Sequence, residues 1–199
     1  MRASTALSDF RRSHSKWDRA ARDGHDAASA LVECASNLAS GLPDSLPQAA
    51  SRVPGAKDAV CTKLKSRQAH HAERLLSAAS ALESAASEMR SVAARLEGTA
   101  TASPLSPASH HSPSSVRSKS GQGAQAHGES VGVYLCRQAA SECTQCAADR
   151  RHVAEELSKS DASLEHLKAM FAVWSAAPHM THGLLDRVET ALESERRGY

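Results

Sequence analysis

Large aromatic side chains are scarce in this chain: two Phe, two Trp and two Tyr in 199 residues, 3% of the total. Such side chains supply much of the buried area that stabilises a core. The apolar fraction of 41% is ordinary, but much of it is alanine. Alanine is the best helix former and is depleted in strands. A chain of this kind buries its alanines by bringing helix backbones close together, and a partner is expected to complete the core. No segment reads as a strand.

No apolar run approaches the roughly 20 residues that span a bilayer, which argues against a membrane protein. The first residues, MRASTALSDFRRSHSKW, lack the apolar stretch of a signal peptide. An intracellular setting with five reduced cysteines is therefore expected. With 24 basic against 22 acidic residues the net charge is +2, which does not describe a nucleic-acid-binding surface.

Against those absences stands a strong periodicity. Phe10, Trp17, Gly24, Leu31 and Leu38 recur every seventh position, beside a second row of His14, Ala21, Ala28, Ala35 and Leu42. This is the seam of a coiled-coil-like helix. Gly24 either weakens its middle or admits a second helix closely. Gly41 and Pro43 give a stop, and residues 42–55 read as a connection. A second helix is expected from Ala56 to Leu96, with Cys61, Gln68, Leu75, Leu82, Met89 and Leu96 in its stripe, ended by Gly98. The two should fold back as an antiparallel pair.

Residues 99–130 turn to Ser, Pro, Gly and His and read as a disordered linker. Ser106 and Ser112 each precede proline there, so each is a candidate proline-directed phosphorylation site. Beyond it a helix is expected over Val131 to Leu157. A shorter helix capped by Ser160-Asp161 and broken at Pro178 follows, and Thr181 is expected to cap a last one. The predicted organisation is an all-α chain: a hairpin over 1–98, the linker, and a helical segment over 131–199 packing on the hairpin.

Candidate chemistry is thin. Cys143-Thr-Gln-Cys146 is a lone C-x-x-C inside a helical run, where both residues share a face; zinc normally needs four ligands. A redox motif would follow a strand. Both cysteines read as buried small apolar residues. His71 falls on the seam, and His110-His111 in the linker. No phosphate-cradling glycine loop, nucleophile elbow or H-E-x-x-H helix occurs. The basic pairs Arg11-Arg12, Arg150-Arg151 and Arg196-Arg197 are scattered and have no interleaved aromatics. No enzyme, cofactor or metal is expected. Trp17 and Trp174 read either as core anchors or as anchors for a partner helix.

The order of features resembles one family, AIRIM, a ribosome maturation factor that accompanies an AAA-type ATPase. The resemblance rests on Lys16-Trp17-Asp18-Arg19-Ala20-Ala21-Arg22-Asp23 leading into Ala35-Ser36-Asn37-Leu38-Ala39. It continues in Val53-Pro54-Gly55-Ala56-Lys57 through Leu64-Lys65-Ser66-Arg67-Gln68. Tyr134 to Leu157, with Asp149-Arg150-Arg151, carries it further, as do the Trp174 and Pro178 region and Leu184 to Glu195. The C-terminal stretch is also similar to the cyclin-dependent-kinase-2-interacting protein, described as a partner of AIRIM in the same assembly. Either resemblance implies a non-catalytic adaptor on an AAA ATPase that helps precursors of the large (60S) ribosomal subunit shed shuttling factors. It also implies pairing with a homologous helical subunit and a cytoplasmic and nuclear location. The expected partner surface is Phe10, Trp17, Leu31 and Leu38, with Arg150, Arg151, Phe171 and Trp174. The rival reading from the heptads is a structural subunit of a trafficking or cytoskeletal tether.

Overall fold

A computed structural model describes residues 3–40, 54–101, 130–159, 162–177, 180–181 and 183–197. They form five helices: α1 (Ala3–Ala39), α2 (Ala56–Thr101), α3 (Val131–Leu157), α4 (Leu164–Ala176) and α5 (Leu184–Arg197). The described residues contain no strand, and the chain is all-α. The expected stop at Gly41 and Pro43, the cap at Ser160-Asp161, the sites at Ser106 and Ser112, and His110-His111 lie outside the described residues.

Cross-helix contacts fix the topology. Asp9 meets Arg95 and Lys16 meets Glu88, so α1 and α2 run antiparallel. Arg137 meets Glu97 and Arg151 reaches Ser80, so α3 runs antiparallel to α2. His166 meets Glu156, Arg150 reaches the Trp174 carbonyl, Thr181 binds Glu142, and Gly132 binds Glu195. Thus α4 and α5 together descend along α3 as one interrupted helix. They also line α1, where His25 faces Phe171 and Arg11 pairs with Glu189. The result is an up-down-up-down four-helix bundle whose fourth position is shared by α4 and α5.

A single apolar core draws on all five helices. In α2 the large residues Leu75, Leu82, Met89, Val92 and Leu96 alternate with Ala78, Ala79, Ala85, Ala86 and Ala93, all buried. That alternation lets neighbouring helices interdigitate without many aromatics. The core is closed by the chain's own α4 and α5, which corrects the expectation that a partner completes it.

Three local expectations also change. Gly98 does not end α2, which continues to Thr101; only Gly55 and Gly183 among the described glycines have positive φ, so Gly98 stays in the right-handed helix. The α4 cap is Ser163, whose side chain accepts from the His166 amide. Thr181 is not the cap of α5: its hydroxyl donates to Glu142, and α5 starts after Gly183 at φ +69°.

Candidate partner-binding surfaces

The structure uses most of the predicted surface residues internally. Phe10 and Leu31 are fully buried, Trp17 is 4% exposed and Trp174 1%. These four present no area to a partner, because they are buried in the one core that all five helices share. This corrects their assignment to an interface. Leu38 and Phe171 are half-buried, Leu38 in a cleft near the C-terminal end of α1 and Phe171 with its ring 5.3 Å from that of His25.

Trp174 is the centre of the most specific packing. A Cβ at Gly24 would collide with the Trp174 ring, lying 3.0 Å from Cη2 and 3.3 Å from the Ala78 Cβ. Glycine in α1 and alanine in α2 therefore make the notch that the indole fills. Arg150 covers the other side, its guanidinium 5.2 Å from the ring centroid and its Nη2 donating to the Trp174 carbonyl at 3.4 Å. Both Arg150 Nε and Trp174 Nε1 are buried without a hydrogen-bond partner. Arg151 instead bridges outward, from Glu155 at 2.8 Å to the Ser80 hydroxyl on α2 at 2.9 Å.

Polar contacts lock the remaining seams. Arg11 pairs with Glu189 and Glu193 at 3.0 and 2.9 Å, and His14 Nδ1 lies 2.8 Å from Glu189. Arg196 and Arg197 pair with Glu193. Ser13, buried between α1 and α2, lies 3.1 Å from the Asp9 carbonyl and 3.2 Å from Glu88; its one proton serves either. The hydrogen bond from Lys16 holds the Glu88 carboxyl below its ordinary pKa despite partial burial. Glu195 accepts from the Gly132 amide at 2.9 Å and from the Ser130 hydroxyl, so a carboxylate on α5 caps the N-terminus of α3. Sequence reasoning missed this contact, since nothing local to Gly132 announces a partner on α5.

The thiols behave as core. Cys34, Cys136, Cys143 and Cys146 are buried. Burial pushes Cys136 and Cys143 up to about 12, helped respectively by the charge of Glu195 and by Cys146. Cys143 Sγ lies 3.9 Å from Met180 Sδ, an apolar sulfur contact. Burial likewise lowers the pKa of His71. Among the described residues no group of three or more His, Cys, Asp or Glu could hold a metal ion, and no helix is long and apolar enough to cross a membrane.

What remains outside is a small set of surfaces. Among the described residues Val131, Tyr134 and Val173 are the exposed large hydrophobics, at 65%, 51% and 42%. Tyr134 sits at the head of α3 with the Arg137 guanidinium 5.9 Å from its ring centroid. The cleft near the C-terminal end of α1 forms a second surface. The chain matches no family model, no curated protein and no solved structure.

Proposed function

We propose that this chain is a non-catalytic helical adaptor of an AAA-type ATPase assembly, acting in cytoplasmic maturation of the large ribosomal subunit and recycling of its shuttling factors. The resemblance to AIRIM is the basis for the ribosomal context. The observation that carries the reading is where the resembling segments meet. The helix that carries Lys16-Trp17 supplies Gly24, the Asp149-Arg150-Arg151 segment supplies Arg150, and the C-terminal segment supplies Trp174. Segments remote in sequence thus pack into one core, which suits a part whose task is to hold surfaces in fixed relation.

In this reading the ATPase performs the energy-consuming step and the adaptor contributes binding area and orientation. A homologous helical subunit, similar to the cyclin-dependent-kinase-2-interacting protein, would pair with an exposed face. Tyr134 and Val131 are the leading candidates there, because an exposed aromatic is the residue type that concentrates binding energy. The protein would be found in cytoplasm and nucleus. It would reach ribosomal precursors through the ATPase, without a sequence-specific nucleic-acid contact of its own.

Sedimentation of a cell extract on a sucrose gradient tests the reading. The adaptor should appear in fractions containing large-subunit precursors and move to lighter fractions when the ATPase is depleted. Exclusive recovery in light fractions with vesicle or filament proteins would favour the tethering alternative.

A further inference from the structure

A cleft of about 480 Å³ runs along the outer seam of α2 and α3. Arg90 and Glu97 of α2 line it with Arg137, Ser141, Thr144 and Gln145 of α3. No large apolar side chain lines it, so an apolar anchor has nothing to pack on and recognition there is polar. The Thr144 hydroxyl donates to the Ala140 carbonyl at 2.6 Å, and the Gln145 amide to Asp149 at 3.1 Å. Arg137 offsets Glu97, its Nη1 3.6 Å from the carboxylate. Arg90 is exposed and forms no ion pair with a described residue, so one positive charge is left over in the cleft. Two guanidiniums and the exposed Ser141 hydroxyl suit an oxyanion with several acceptor oxygens, such as a phosphate.

The chain itself carries candidate phosphates close to this cleft. Residues 102–129, outside the described residues, leave α2 at Thr101, and Ser103, Ser106 and Ser112 among them each precede proline. Arg90 precedes Thr101 by 11 residues, about 16 Å at 1.5 Å per residue. Ser103 follows Thr101 by two residues, which extend about 7 Å and fall short. Ser106 follows by five, which extend about 17 Å and suffice. Ser112 also has the length, but it follows His110-His111 and precedes Arg117 and Lys119, cations that Arg90 repels. From Gly98 to Ser109 no side chain is charged, so a phosphate on Ser106 would be the segment's own charge.

We propose that the Arg90–Arg137 cleft is a phosphate-binding site whose ligand is this chain's own Ser106 in its phosphorylated form. A proline-directed kinase would supply the phosphate from ATP: the Ser106 Oγ–P bond forms, the bond from the γ-phosphorus to ADP breaks, and the hydroxyl proton leaves to the kinase's base. The product carries a charge of about −1.5 to −2 and three acceptor oxygens, enough to engage both guanidiniums and Ser141. The unmodified hydroxyl offers neither charge nor those acceptors. A tether of five residues makes the encounter intramolecular, so a modest affinity suffices to fill the site. The proposal does not depend on the adaptor reading.

The test is a phosphorus-31 NMR titration of the full chain with phosphoserine genetically encoded at Ser106, beside a second sample with it at Ser112. A free phosphoserine titrates near pH 6. Contact with two guanidiniums should bring the Ser106 midpoint about one pH unit below that of Ser112. Arg90→Gln, at an exposed position, should return the midpoint to the Ser112 value with the helical circular dichroism unchanged. Ser141→Glu, which puts a carboxylate into the cleft, should do the same. Equal midpoints at the two serines would overturn the proposal. So would a shift that survives both substitutions, or one that fades on tenfold dilution and so belongs to a second copy.

Discussion

Replacing Gly24 by alanine sets two effects against each other. Alanine gains about 1 kcal/mol over glycine in a helix interior. Here, however, the added methyl would collide with the rigid indole of Trp174 and press on Ala78. Overpacking of a filled core costs about 1–3 kcal/mol, so Gly24→Ala is expected to destabilise by about 1 kcal/mol net. In a Trp174→Leu background the notch is relieved and the same change should turn neutral or stabilising. A double-mutant cycle by urea denaturation reads that reversal, and two additive single effects would contradict the packing described. The thiols give a second residue-scale test. Cys136 and Cys143 are held up to about 12 in the fold, against roughly 8.5 in an unfolded chain. Their contribution to stability is therefore fully present below about pH 8.5 and lost as pH rises toward 12. At pH 8 iodoacetamide should alkylate half-buried Cys61 first and leave Cys136 and Cys143 unmodified, as read by peptide mass spectrometry. The stripe position of Trp17 and the core role of the cysteines were legible from spacing alone. The pairing of Trp174 with Gly24 was not, because a notch and the ring that fills it lie 150 positions apart and leave no local pattern.

Among the elements, the joint between α4 and α5 carries most of the departures from local rules. Ala177 closes α4 at φ +42°, a left-handed conformation that costs a residue with a Cβ about 1–2 kcal/mol. Ala177→Gly should therefore raise stability by about 1 kcal/mol, seen as a higher urea midpoint at unchanged slope. Glu142 holds the joint to α3 by accepting from the Thr181 amide at 2.9 Å and its hydroxyl at 3.1 Å. Burial works to raise the pKa of Glu142, but hydrogen bonds from Thr181 and Gln138 outweigh it and leave the pKa lowered. Since the folded pKa is depressed, the stabilisation is present above the ordinary carboxylate pKa and lost as pH falls through the folded value. Glu142→Gln should flatten the loss of stability below about pH 4.5, the ordinary value for a carboxylate, and leave the slope above pH 9 unchanged. The heptads of α1 and α2 made those helices legible, since seven-residue spacing is a property of contiguous sequence. The joint was misread at Thr181 because capping rules look three residues ahead, whereas its hydroxyl finds a carboxylate 39 positions back. Gly98 was misread for a related reason: glycine permits a left-handed stop without requiring one.

On the scale of the molecule, the chain solves the shortage of aromatics by closing a four-helix core on itself. Two tryptophans and one phenylalanine serve as anchors, and alanine lets the backbones approach. The helical class was legible because composition and period both point to it. The partner surface was not, because apolar stripes look the same whether they face another chain or the same one, and α4 and α5 lie far along the sequence from the seam they cover. Under the adaptor proposal the interface would lie on what stays outside, such as Tyr134 with Val131. The most direct test of the adaptor account is affinity purification of the tagged full-length protein from its own cells, with mass spectrometry of the eluate. The account predicts stoichiometric recovery of an AAA-type ATPase and a second small helical subunit, with large-subunit assembly factors, reduced by Tyr134→Glu in a protein that still folds. An eluate lacking the ATPase and assembly factors, and dominated by tethering or filament proteins, would contradict it.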